Sequence, residues 1–569
     1  MGTDTIFPVS VPIFPPLSYP PPRAGFTGEH RMSTDSLPSS SPGSGDCILA
    51  VDHGTSGLKV ALVTVDGRVL ANEFEPTPVA FLPGGGAEQD PEDWWRALVV
   101  ASRRLMARGL VPQASVLAVA CSSTFSTTVA CDADGGPVGP ALTWMDHRGA
   151  PHVRRVMDGW PSVKGYGVVR SLDWMRRSGG APTLSGKDDA AHVLFWREER
   201  PEIYRNARWF LGSKDWLNLR MTGRCAASPD SVTLFWATDN RDIHNVRWDD
   251  VLLGRLGLDR NKLPDLRPST DVLGPLQDDV ADALGVARGT PVIVGSADLQ
   301  SACVGSGAVD DFAGHVYIGT SSWVLCHVPF RKTDPLHTIA ALPSAIPGRY
   351  FCANEQDMAG GALAAALRNL LRTPGEPRGA VVSPEAYLRA DAVVEAVPPG
   401  ARGVLFTPWL NGEKTPVDDE CLRGGFHNVS VETTSEDLLR AVYEGVAYNT
   451  NWSLGYIERF VGRRLDPLNA IGGGAQSDAW CRILADVTGR TIRQVEDPRE
   501  ANARGAAFLA AVALGRLRFT DIPKCMRFAK TFEPDPANRP VYDRGMRAFR
   551  DLWRRNKGFY RWWNHADPA

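Results

Sequence analysis

Residues 47–65, CILAVDHGTSGLKVALVTV, decide the fold. The first six, CILAVD, are an apolar run of strand length. Gly54-Thr55-Ser56-Gly57 then make a turn, and LKVALVTV (58–65) is a second strand. Asp66-Gly67 is a hairpin signal, and VLANEFE (69–75) continues as a third strand. Three antiparallel strands therefore open the ordered chain. Beyond them, Asp90 is placed to cap a helix with Pro91 at its first position, and an amphipathic pattern runs from about Glu92 to Arg108. Strands are expected at VLAVAC (116–121) and TTVACD (127–132). A buried strand is expected at PVIVGS (291–296), ending at Ala297-Asp298.

The theme restarts further on. HVYI (315–318) leads through Gly319-Thr320-Ser321-Ser322 into WVLCHV, again strand, Gly-Thr-Ser turn, strand. Two related halves follow from this, rather than a solenoid of short repeats. Helices are expected at 359–371, 435–461, 477–488 and 501–514. The Gly-rich acidic stretch GSGAVDDFAG (305–314) divides the halves, giving units at 46–308 and 309–515. Residues 516–569 read as a helical extension whose basic-aromatic run RDLWRRNKGFYRWW (550–563) packs on the body rather than on nucleic acid. Residues 1–45 are rich in proline and serine and read as a disordered tail, with Met32 as an alternative start.

Composition narrows the class. The chain has 569 residues, with 62 Lys and Arg against 65 Asp and Glu, a formal net charge of -3. That balance gives no electrostatic case for nucleic acid or a membrane surface. The ten cysteines form no CxxC pair, and no apolar run approaches the roughly 20 residues of a membrane span. A multi-domain enzyme of the cytoplasm is expected, with a homodimer left open.

The turns suggest the chemistry. A strand ending in Asp52 and turning through Gly-Thr-Ser gathers backbone N–H groups and two hydroxyls, suited to phosphate oxygens. Asp52 suits a magnesium ion held through water. Lys59 could add positive charge, or be a surface lysine. One turn per half could close on a polyphosphate from both sides. No Walker-A site exists: the stretch Gly180 to Lys187 has five residues between its glycines and Asp188 after the lysine. GGGA (472–475) opens a helix at Ser477 and suits a nucleotide, but it lacks the last glycine of a dinucleotide fingerprint.

The segments AVDHGTSGLK (50–59), EQDPEDWW (88–95), TWMDHR (143–148), GSADLQSACVGSG (295–307), IGTSSWV (318–324), FTPWLNGEKTP (406–416), EGVAYN (444–449) and AIGGGAQSDAWCRILADVTG (470–489) occur in order. Together they resemble the FGGY family of carbohydrate kinases over about residues 47–515, xylulokinase-like members most of all. The resemblance implies an α/β fold of two actin-like, ribonuclease-H-like domains with a cleft between them. The sugar would lie mainly against the first domain and ATP against the second. It assigns Thr55, Ser56 and Lys59 to the first phosphate motif, Gly319 and Thr320 to the second, and Gly473, Gly474, Ala475 and Ser477 to the adenosine loop. It makes Asp52 the Mg2+ residue and Asp298 the catalytic base. Physically, phosphoryl transfer needs a carboxylate to orient the acceptor hydroxyl and take its proton, and Asp298 follows a buried strand in a loop of small residues. Read without the resemblance, Asp298 is as readily a helix N-cap. Trp144, Asp146 and Arg148 resemble the sugar-side segment, with Phe125, Ser126 and Leu299 beside it; a turn with an Asp–Arg pair is the plainer reading.

Two departures bear on the acceptor. Where xylulokinases usually carry Gln-Met-His, this chain has Thr124-Phe125-Ser126. Leu299 stands where an amide commonly follows the aspartate, with Gln300 one further on. WMDHR also resembles ribulokinase-like members. A ribulokinase-like or polyol kinase is therefore the alternative, and a non-catalytic ATP-gated binding protein the alternative of another class.

Overall fold

The computed structural model describes residues 45–371 and 381–564. The expected tail over 1–45 lies, Gly45 apart, outside the described residues. Strands β1 (Cys47–Gly54), β2 (Gly57–Thr64) and β3 (Val69–Pro76) form the expected antiparallel meander. Helix α1 (Pro91–Ala107) follows, with the Asp90 carboxylate accepting the Glu92 N–H at 2.9 Å. Strand β4 (Val116–Ser123) pairs parallel with β1, and β6 (Pro291–Ala297) pairs parallel with β4. An antiparallel edge strand, β5 (Val272–Pro275), completes a six-stranded sheet in the order β5-β6-β4-β1-β2-β3. The strand over Thr128–Cys131, expected from the sequence, belongs to a separate five-stranded sheet with Trp209–Gly212.

Strand β1 is buried on both faces, and its alternation assigns each face a helix. Leu49 and Val51 pack with Trp94, Leu98, Ala101 and Leu105 of α1. Ile48 and Ala50 pack with Ala503, Ala506, Ala507 and Ala510 of α5 (Ala501–Ala513). Burying each large aliphatic side chain of this kind is worth about 1.5–3 kcal/mol. The first sheet is thus sealed by a helix that the sequence places in the second half.

Asp298 begins helix α2 (Asp298–Gly305) rather than lying in a loop. Helices α2 and α5 cross through glycines: a Cβ on Gly305 would meet the Ala501 carbonyl oxygen at 1.8 Å, and one on Gly505 the Ser301 oxygen at 1.8 Å. Side chains at either position would force the halves apart.

The second sheet has eight strands. Strands β7 (Gly314–Ile318) and β8 (Ser322–Val328) repeat the β1–β2 hairpin, and β9 (Thr333–Asp334), β10 (Ile339–Pro343) and β11 (Tyr350–Ala353) extend it. Helix α3 (Ser435–Val461) starts at a capping box made by Thr434 and Asp437. Strand β12 (Leu468–Ile471) is parallel to β7, helix α4 (Asp478–Thr488) follows, and β13 (Ile492–Val495) is parallel to β12. The order is β9-β10-β11-β8-β7-β12-β13-β14. Its edge, β14 (Phe528–Phe532), comes from the extension that the sequence reads as helical, and α6 (Arg539–Asn564) follows it. In each half an antiparallel hairpin is flanked by two parallel strands. This is the duplication that the two Gly-Thr-Ser turns announce.

Candidate active site

Parallel pairing brings the ends of β1, β4 and β6 to one level. Asp52 sits opposite Ser122, and Ser122 opposite Ser296, so Asp52 and the strand leading into Asp298 are two strands apart. A bulge in β6 between Ile293 and Ser296 re-aims that strand. It turns at Gly295, where φ is +74° and a Cβ would meet the Cys121 carbonyl oxygen at 2.2 Å.

Burial first, and the Asp52 charge second, push the Asp298 carboxyl up to about 8. Its Oδ1 accepts the Leu299 N–H at 2.8 Å. Ala297 holds the N-cap position with no side-chain bond, so Asp298 is not the cap. Asp52 is raised by burial as well, a rise moderated by Lys59 and by Asn502, whose amide donates to Oδ1 at 3.1 Å. Tyr317, stacked on Trp323, has its hydroxyl raised to about 12 by burial and then by these two carboxylates. The two acids therefore share one electrostatic site where the halves meet.

The sequence reading missed the frame that supports this site. The Ala297 N–H donates to Asp230 at 2.9 Å, and the buried Lys214 ammonium lies between Asp215 and the Val294 carbonyl. The Asn218 amide donates to the same carbonyl at 2.9 Å. Lys214, Asp215, Asn218 and Asp230 are all fully buried. Their only signal in sequence is polarity, in SKDWLN (213–218) and SPDS (228–231), which reads equally well as a solvated helix face and a surface turn.

The proposed sugar-side residues converge, with their polar atoms largely committed. The Trp144 indole N–H donates to Thr55 Oγ1 at 2.8 Å, while Trp144 stays 39% exposed. Asp146, fully buried, accepts the Ala87 N–H at 3.0 Å and the Arg148 guanidinium; Arg148 also reaches Glu88 at 2.6 Å and lies over the Phe195 ring. This Asp–Arg pair is a buried framework, not a surface turn. Ser126, at φ +52°, donates to the Lys187 carbonyl at 2.5 Å. Phe125 and Leu299 are partly buried against the same core. Gln300 does not take Leu299's place, because its Oε1 accepts from Ser344 and Ala345 instead. Ser56 lies half-buried in the first turn, where its carbonyl accepts from Thr77.

On the other side, Gly319 and Thr320 offer their carbonyls to Gly360 at 2.7 Å and to Ala359 and Gly361 at 2.8 and 3.1 Å. Because Tyr317 pairs with Ile471, the turn at Gly319 lies beside the loop 472–475. Gly473 has open space where a Cβ would stand, Gly474 is half-buried beside Ile318, and Ala475 is buried. Ser477 caps α4 and donates to Asp391 at 2.7 Å. Lys59 does not lie free for a phosphate. Its ammonium donates to the Arg499 carbonyl at 3.0 Å and pairs with Glu500 at 3.3 Å, tying the first hairpin to the second half.

Among the described residues no three His, Cys, Asp or Glu side chains gather at one point. Mg2+ needs only one or two carboxylates and completes its shell with water and substrate phosphates, and Asp52 is the carboxylate the sequence offers for it. No helix among the described residues is long and apolar enough to cross a membrane.

Comparison with known proteins accords with this geometry. Models of the N-terminal and C-terminal domains of the FGGY family of carbohydrate kinases match residues 47–305 and 314–514. The chain is 28% identical to the xylulose kinase of Escherichia coli K12 over 509 residues, 89% of this chain and 98% of the relative. It is 26% identical to an autoinducer-2 kinase of Enterobacter sp. strain 638 over 524 residues, 89% and 94% of the two chains. The crystal structure of gluconate kinase from Lactobacillus acidophilus superposes with a TM-score of 0.79 at 21% identity, covering 91% of this chain and all of the other. A fold of two hairpin-centred halves, a half-buried aspartate pair where they meet, and two family models that together span most of the chain lead to one assignment: the protein belongs to the FGGY family of carbohydrate kinases.

Proposed function

We propose that the protein transfers the terminal phosphoryl group of ATP to a hydroxyl of a small ketose, D-xylulose being the first candidate, with Asp298 as the general base. The observation that carries this reading is the half-buried Asp298, coupled electrostatically to Asp52 where the two halves meet. A base that titrates near 8 sits close to working pH, where proton acceptance is most effective. Asp298 orients the acceptor hydroxyl and takes its proton at a carboxylate oxygen. The turns at Thr55-Ser56 and Gly319-Thr320 hold the phosphates, and the loop Gly473-Gly474-Ala475 with Ser477 holds the adenosine. The division into a sugar-binding unit (46–308) and a nucleotide-binding unit (309–515) belongs to the same reading. Mg2+ bound at Asp52 would neutralise the triphosphate and offset the charge that raises Asp298.

A ribulokinase-like or polyol acceptor is the second reading, and one observation favours it. With Ser126 bonded to Lys187, the segment 124–126 presents no side chain equivalent to the usual histidine. Matches at similar identity to kinases named for xylulose and for autoinducer-2 leave the acceptor open to assay. ADP release should be measured over a panel of ketoses, aldoses and polyols. Strong dependence on one ketose supports the proposal, dependence on a polyol supports the second reading, and turnover indifferent to every acceptor refutes both.

A further inference from the structure

Away from Asp52 and Asp298, a cavity of about 560 Å³ opens between α3 and α6, and six arginines line it: Arg459, Arg490, Arg539, Arg547, Arg550 and Arg554. Only two carboxylates, Glu458 and Asp543, stand among them. Both are already engaged. Glu458 takes the Arg490 guanidinium in a fork at 3.0 and 2.7 Å, and Asp543 pairs with Arg539 at 2.7 Å. Arg554 has Asp551 at 3.1 Å, and Arg459 lies over the Tyr456 ring at 4.0 Å. Arg547 and Arg550 have no ion pair or hydrogen bond among the described residues.

The helix fixes this arrangement. Residues 543, 547, 550 and 554 fall at i, i+4, i+7 and i+11, a single stripe of α6. The neighbouring stripe, Tyr542, Met546 and Phe549, is buried against α3. The arginines cannot turn away without unpacking that seam. Trp452 and Trp553, with ring centroids 5.3 Å apart, add an aromatic wall, and the Trp553 indole N–H is buried without an acceptor. Two unpaired guanidinium groups one turn apart repel each other in the free protein. An anion between them removes that cost and gains forked Arg–phosphate bonds.

We propose that this cavity binds a small organic anion carrying two or more phosphate groups, gripped by Arg547 and Arg550 with the other arginines around them. The volume is in the range of small-molecule sites. None of the lining residues belongs to the turns, the adenosine loop or the Asp298 frame, so the inference does not depend on the kinase reading.

The test is calorimetric titration of inorganic tripolyphosphate, in chelator, into the full chain, with Trp fluorescence as a second readout. Binding in the catalytic cleft would be a background common to all variants. Arg547→Gln with Arg550→Gln should weaken one site by at least about tenfold, the loss expected for charge-assisted bonds, and abolish its fluorescence change. Arg547→Gln alone should move affinity the same way by less, so the outcome does not hang on the double variant. Arg555→Gln, on an exposed part of α6 outside the cavity, should change nothing. Unchanged affinity in the double variant, or an equal loss in Arg555→Gln, overturns the proposal.

Discussion

Replacing Asp298 with asparagine should make the protein slower and, above pH 5, more stable. The Asp298 carboxyl titrates at about 8 in the folded protein, against 3.8 when free. The folded state therefore holds this proton more tightly than the unfolded chain does. The stability it contributes is complete below about pH 4 and is lost as pH rises through about 8. At about 1.4 kcal/mol per unit, the ceiling on that loss is roughly 4 kcal/mol at pH 7 and 6 kcal/mol at pH 9. An asparagine at this position carries no such penalty, and its amide oxygen can still accept the Leu299 N–H. Denaturant unfolding should therefore show Asp298→Asn about 2–4 kcal/mol more stable than wild type at pH 8, converging to within about 0.5 kcal/mol at pH 4. Turnover should fall about 10²- to 10⁴-fold, because an amide takes no proton. Nucleotide affinity should be unchanged, since the phosphate turns and the adenosine loop are untouched. A variant no more stable than wild type at pH 8 refutes the electrostatic account of the site. Retention of more than about a tenth of wild-type turnover refutes the base.

Three further outcomes are expected. Phosphorylation should cease in excess chelator and return with Mg2+, because a triphosphate beside the Asp52 and Asp298 carboxylates needs a divalent ion to neutralise its charge; full activity in chelator would sink this. Lys214→Met strands Asp215 in the core beside Asp230, so unfolding should cost about 3–5 kcal/mol less than in wild type. A loss under about 1 kcal/mol would show that Lys214 does not hold this network. Trp144→Phe removes the 2.8 Å bond to Thr55 but keeps an exposed ring, so the acceptor KM should rise about three- to tenfold with kcat within about twofold. An unchanged KM would remove Trp144 from the acceptor side.

The duplicated hairpin, the helix capped at Asp90 and the long helix over 435–461 were all legible in sequence, because each rests on local signals. Alternation buries β1 on two faces, a turn glycine closes each hairpin, and a capping side chain meets its own helix a few residues on. The extension was less legible. FAKTF (528–532) is short and charged, as an edge strand is, and only pairing with β13 makes it one. Asp298 was marked out by its place at the end of a buried strand and by resemblance, while its position as the first residue of α2 came from the structure.

The sequence by itself determined the family, the two hairpin-centred halves and the candidate residues, because periodicity and ordered motifs are properties of the chain near each residue. Tertiary structure alone decided which of those residues are available. It engaged Lys59 with Glu500, Arg148 with Glu88, and Ser126 with Lys187, in each case with a partner whose position only the folded chain fixes. It brought Asp52 near Asp298 across β4, so that the charge of the first adds to the burial that raises the second. It also set α5 against the first sheet and α6 against α3, gathering arginines scattered from 459 to 554 around one cavity. Charge interactions act through space, over distances set by packing, and spacing along a chain does not encode them.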